Sequence, residues 1–140
     1  MKSKLILICA LAALSLCLFA CTSKQASLEI SCDEFMKDQH FTWEVQVNPG
    51  DSVTVTLCSN PTTGFQWSES AQISDQTVLE QVDHKFIPPE AKNIEGAAGK
   101  EVWTFKALKE GASTISMEYS RPWEGGEKGE WTFVLTVIVK

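Results

Sequence analysis

Residues 41–57 read FTWEVQVNPGDSVTVTL, and their alternation decides the architecture. Phe41, Trp43, Val45 and Val47 alternate with Thr42, Glu44 and Gln46, and after Asn48, Pro49, Gly50 and Asp51 the same period resumes in Val53, Val55 and Leu57. A period of two puts successive side chains on opposite faces of an extended chain, one apolar and one polar. The Asn-Pro-Gly-Asp segment reads as a turn, so the two runs are expected to be neighbours across a hairpin.

The pattern continues downstream. Trp103, Phe105 and Ala107 oppose Val102, Thr104 and Lys106, and Ile115, Met117 and Tyr119 oppose Thr114, Ser116 and Glu118. Glu110 and Gly111 supply a turn between these runs, and Glu124 to Gly129 a looser polar loop before the last one. Trp131 to Val139 is apolar on both faces for much of its length, as expected of a strand covered on both sides or central in a sheet. No amphipathic helix of ordinary length is expected, and no internal repeat is present. Seven or eight short strands in about 115 residues predict an all-β fold, an immunoglobulin-like antiparallel β-sandwich, with a small barrel as the second choice.

The N-terminus has a different character. Lys2 and Lys4 precede an uncharged run from Leu5 to Ala20, the basic and apolar regions of an export signal over 1–20. Its ending, Leu18, Phe19, Ala20, Cys21, resembles a bacterial lipobox. That resemblance implies cleavage before Cys21 and acylation there, and more than one acyl chain anchors a protein stably. Thr22 lacks the Asp associated with inner-membrane retention, which favours the outer membrane or outer face of the cell envelope; without lipidation the product is secreted. Residues 21–26 read as a tether and 27–140 as the folded domain.

Removing residues 1–20 takes away two of the 12 Lys and Arg and none of the 18 Asp and Glu, leaving a net charge of −8. Nucleic-acid binding is excluded on that balance. Of five cysteines, Cys9 and Cys17 lie in the leader and Cys21 is the lipidation candidate. Cys32 and Cys58 remain, and in an oxidising compartment the two are expected to pair. Strict alternation puts Cys58 on the face opposite Val53, Val55 and Leu57 while Cys32 shares a face with Leu28 and Ile30, so a bulge or strand end must intervene. The competing reading, Cys58 as a catalytic thiol, needs a histidine to make thiolate, and only His40 and His84 exist. No cofactor or metal is expected, and an enzyme ranks last among the function classes.

Three turn segments stand out against this background. In Asn60, Pro61, Thr62, Thr63, Gly64 and Phe65, Pro61 presets φ, Asn60 bonds its own backbone and Gly64 permits φ above zero, so Thr62 and Thr63 sit at a stiff tip. Gly96, Ala97, Ala98 and Gly99, approached through Pro88 and Pro89, carry almost no side chain and offer backbone groups to a partner. In Arg121, Pro122, Trp123 and Glu124 the indole opens a polar loop, either capping the core end or acting as an interface anchor. Trp43, Trp67, Trp103 and Trp131, by contrast, sit in alternating runs and read as core. Each turn alone is ordinary.

Together, NPTTGF with Trp67 two residues on, the stretch from Phe86 through Pro88 and Pro89 to Gly96–Gly99, and RPW at 121–123 resemble, in order and approximate spacing, the chagasin family of papain-type cysteine protease inhibitors. The resemblance covers roughly 41–140, and with the lipobox it is that of a bacterial lipoprotein member. It implies an immunoglobulin-like sandwich whose three loops cluster at one end and enter the protease cleft as a wedge. By position, Thr62 and Thr63 would meet the catalytic cysteine, Gly96–Gly99 would lie along the substrate-binding side, and Arg121, Pro122 and Trp123 would cover the leaving-group side. Ala98 departs from the pattern, where a third glycine is usual. The implied function is reversible, non-covalent inhibition of papain-like cysteine proteases. The alternative is an envelope adhesion or assembly module without inhibitory activity.

Overall fold

In the computed structural model, which describes residues 22–90 and 94–140, alternation becomes two facing sheets. The expected leader and Cys21 lie outside the described residues. Nine strands form among the described residues: β1 (Gln25–Ile30), β2 (His40–Val47), β3 (Ser52–Ser59), β4 (Gln66–Trp67), β5 (Gln72–Ile73), β6 (Leu79–Ile87), β7 (Gly99–Ala107), β8 (Gly111–Ser120) and β9 (Trp131–Val139). One sheet has the order β1-β3-β7-β6; the other has β2-β9-β8-β4, with β5 also on β8. Pairing starts at Gln25, inside the segment read as tether. β9 lies between β2 and β8, with Phe133, Leu135, Val137 and Val139 buried on its inner face and the outward positions half-buried.

Both sheets are mixed rather than purely antiparallel. β1 runs parallel to β3 and β2 parallel to β9, while the other pairs are antiparallel. The expected hairpin between β2 and β3 does not form, because these strands belong to different sheets. The turn closes as read, with Asp51 N–H donating to Asn48 O at 3.0 Å, yet it carries the chain from one sheet to the other. Alternation fixes which side chains face inward, not which strand lies alongside. Val53, Val55 and Leu57 are fully buried, opposite a core that includes Phe133, Leu135 and Val137 of β9.

A short helix, α1 (Cys32–Lys37), joins β1 to β2. Ser31 and Glu34 form a capping box, in which the Ser31 backbone N–H donates to Glu34 Oε2 at 2.8 Å. That bond, followed by the one from the Ser31 side chain, lowers the Glu34 pKa below its ordinary value. The only fully buried residue of α1 is Phe35, stacked on Trp131 at 4.8 Å, edge-on to Phe41 at 5.1 Å and 5.5 Å from Trp67. The expected disulfide is present: Cys32 and Cys58 are bridged with Cα atoms 5.0 Å apart. The strand end required by the alternation is the break between Ile30 and Cys32, where extended chain gives way to helix. Closing this 26-residue separation contributes roughly 3 kcal/mol on the chain-entropy estimate.

Candidate functional site

Strand register brings the three turn segments to one pole. Ser59, at the end of β3, is paired with Gly99, at the start of β7, and Ile87, at the end of β6, with Lys100. In the other sheet Tyr119 of β8 is paired with Trp131 of β9. The chain therefore leaves or re-enters both sheets here through loop 1 (60–65), loop 2 (described over 88–90 and 94–98) and loop 3 (121–130). Tyr119 ties the sheets together at this level, its hydroxyl accepting the Asn60 N–H at 2.8 Å.

Loop 1 is a single 3-10 turn over Pro61–Thr63. Asn60 caps it: Oδ1 accepts from Thr62 Oγ1 at 2.6 Å and from Thr62 N–H at 3.3 Å, while Asn60 O accepts from Thr63 Oγ1 at 2.8 Å. The Thr62 and Thr63 side chains are exposed on a turn whose polar groups bond internally. Gly64 ends it at φ +81°, in the left-handed region. A Cβ there would also stand 2.7 Å from Trp123 Cη2, so glycine is required by conformation and by the indole lying against it. Downstream, Trp67 is buried and donates its Nε1–H to Cys58 O at 2.8 Å, fixing the return of the chain.

The loops also bond one another. Asn60 Nδ2 donates to Gly96 O at 2.8 Å, joining loop 1 to loop 2. Arg121 Nη2 donates to Thr63 O at 3.3 Å, joining loop 1 to loop 3, and its guanidinium carbon lies 4.4 Å from the Phe65 ring centroid. Within loop 3, Arg121 Nη1 pairs with Glu127 at 2.9 Å, and Lys128 Nζ donates to the carbonyls of Arg121 and Trp123. Trp123 does not cap the core; its indole is 52 % exposed. In loop 2, Gly96 is exposed and Ala97 and Ala98 are half-buried. Gly99 is buried in β7, where a Cβ would stand 2.4 Å from Ile87 O and 2.7 Å from the Phe86 ring. Close packing alone requires that glycine.

Sequence reasoning singled out these three turn segments but missed their cross-links, and Gly99, read there as loop, is a buried residue of β7. The roles of Tyr119, Glu127 and Lys128 were invisible, since each lies in an unremarkable strand or polar loop. It also missed the brace beneath loops 1 and 2. Buried Ser59 donates to Glu101 Oε1 at 2.7 Å, and His84 Nε2 lies 2.8 Å from Glu101 Oε2 with its ring 4.9 Å from Trp103. Serine, glutamate and histidine meet here with the carboxylate in the middle. A hydroxyl donating to a carboxylate has no imidazole to take its proton, so the set braces strands and makes no nucleophile.

The sequence model of the chagasin family peptidase inhibitors, I42, matches residues 46–137. This chain belongs to the chagasin family. It is 30% identical to amoebiasin-2 of Entamoeba histolytica over 120 residues, covering 86% of this chain and 92% of that one. It is 35% identical to chagasin of Trypanosoma cruzi over 78 residues, 54% of this chain and 70% of the relative. The crystal structure of the cysteine protease inhibitor EhICP2 from Entamoeba histolytica superposes with a TM-score of 0.63 at 22% identity, over 83% of this chain and 97% of that one, a likeness of fold. The sandwich is thus the immunoglobulin-like fold of chagasin-type inhibitors, and the protein is an inhibitor-family member rather than an enzyme.

Proposed function

We propose that this protein is a reversible, non-covalent inhibitor of papain-type cysteine proteases that occludes the active-site cleft with its three loops. The observation that carries this reading is the bonding of loop 1 to both neighbours, through Asn60 to Gly96 and through Arg121 to Thr63. Three separate loops would each lose entropy on binding; a pre-bonded set loses less. Thr62 and Thr63 meet the catalytic cysteine and offer it no correctly placed scissile bond. Gly96, Ala97, Ala98 and Gly99 run along the substrate-binding side, the exposed backbone at Gly96 making the approach. Arg121, Pro122 and Trp123 cover the leaving-group side, where the indole packs on an aromatic surface. An interface of about 1,600 Å² in total is the ordinary size for protease–inhibitor pairs.

The same proposal covers the N-terminus. Residues 1–20 direct export, Cys21 carries lipid in the cell envelope, and the inhibitor domain, whose first strand begins at Gln25, stands off the membrane on the few residues before it.

Titration of active-site-counted papain with residues 22–140 tests the function. The expected result is loss of hydrolysis at a one-to-one ratio, with the inhibitor recovered uncut and activity returning on dilution. Undiminished hydrolysis at excess inhibitor would point to an envelope adhesion or assembly module, and steady cleavage to a substrate.

A further inference from the structure

Helix α1 lies outside the residues 46–137 that the family pattern covers, yet it flanks the loop pole. Its disulfide partner Cys58 lies two residues ahead of Asn60, and Met36 stands one helical turn beyond Cys32 on the same flank. Phe35, the capping box and the disulfide hold the helix still, while Met36 is left 77 % exposed. Beside it opens an apolar groove of about 390 Å³. Phe65 and Trp131 contribute aromatic surface, Met36 and the Cys32–Cys58 bridge bound it from the α1 side, and Thr63 and Arg121 bound it from the loops.

We propose that Met36 and this groove are a fourth contact element of the inhibitor, seating an apolar side chain from the rim of the peptidase cleft. The inference rests on the inhibitor reading above. Continuity names the occupant: Thr63 and Arg121 belong to the wedge and to the groove alike, so an enzyme seated on the loops extends over it. A thioether on three rotatable bonds adapts to apolar surfaces of varied shape. A fixed helix leaves only that side chain to be ordered on binding. The groove thereby gives this chain a means of choosing among enzymes that share the same catalytic centre.

Two measurements on the purified protein test it. Met36 and Met117 are the two methionines among the described residues, and Met117 is 2 % exposed, so mild peroxide oxidises Met36 while Met117 serves as internal reference. Complex formation with thiol-blocked papain is expected to slow Met36 oxidation about fivefold or more, as burial at a dry contact requires. Met36→Glu is expected to weaken inhibition about tenfold, the scale of a contact near a hot spot. Val82→Glu, exposed on β6, is expected to leave inhibition unchanged. Either undiminished oxidation in the complex or unchanged inhibition by Met36→Glu overturns the groove and leaves the inhibitor reading intact. A wild-type protein that fails to inhibit overturns both. Protection of Met36 without enzyme, together with a doubled mass in sedimentation, assigns the groove to a second copy of this chain and overturns it as well.

Discussion

Trp123→Ala is expected to weaken inhibition by about 2 kcal/mol or more, roughly thirtyfold in Kd, with thermal stability nearly unchanged. The two halves of this expectation come from one geometry. In the free protein the indole rests against Gly64, lies 5.9 Å from the Arg121 guanidinium and keeps half its surface in water. Truncation therefore removes little that holds the sandwich together. In the complex the exposed half is the part available for burial, and Trp is the residue most enriched among anchors of this kind. Inhibition constants and melting curves of the variant decide the matter. A large fall in Tm with unchanged inhibition would return Trp123 to a structural role.

Phe35→Ala is expected to have the opposite profile: a loss of about 3–5 kcal/mol of stability, the range for deleting a buried aromatic, and a fall of roughly 10 °C or more in Tm. Phe35 is fully buried among Trp131, Phe41 and Trp67, which come from β9, β2 and β4. The ring docks α1 on the inner face of the β2-β9-β8-β4 sheet, and the cavity left behind is lined by large rigid rings that collapse poorly. Urea unfolding measures the effect. A change under 1 kcal/mol would mean that α1 frays from the sandwich in solution and that Phe35 does not anchor it.

Which features were legible follows from what local chemistry encodes. Inward-facing positions such as Val53, Trp103, Phe105 and Leu135 were readable because a two-residue period reports on burial directly. Sheet membership was not readable, because a strand with one apolar face packs equally well across the core or along an edge; β2 and β3 therefore looked like a hairpin. The parallel pairings of β1 with β3 and β2 with β9 have no local signature at all. Helix α1 left a faint one, Ser31 three residues ahead of Glu34 with Phe35 next, but six residues give no amphipathic period to notice. At the loop pole, turn chemistry predicted the stiffness of Asn60–Gly64 from single residues. The bonds from Asn60 to Gly96 and from Arg121 to Thr63 join residues 36 and 58 positions apart, and such pairings emerge only once the register is set.

Ala98 illustrates the limit from the other side. Its methyl stands where the family pattern usually has glycine. In the fold Ala98 is half-buried, packed against the core and on the lining of the groove beside α1. The methyl thus adds apolar surface on that side of loop 2 and leaves Gly96 as the exposed backbone.

The central claim is that three loops act as one surface, and amide hydrogen exchange of the free protein against its complex with thiol-blocked papain tests it most directly. The account predicts joint new protection across 62–65, 96–99 and 121–126, with the outer faces of both sheets unchanged. Protection confined to a sheet face or to the edge strands β1 and β6, with the loops exchanging as freely as before, would contradict it.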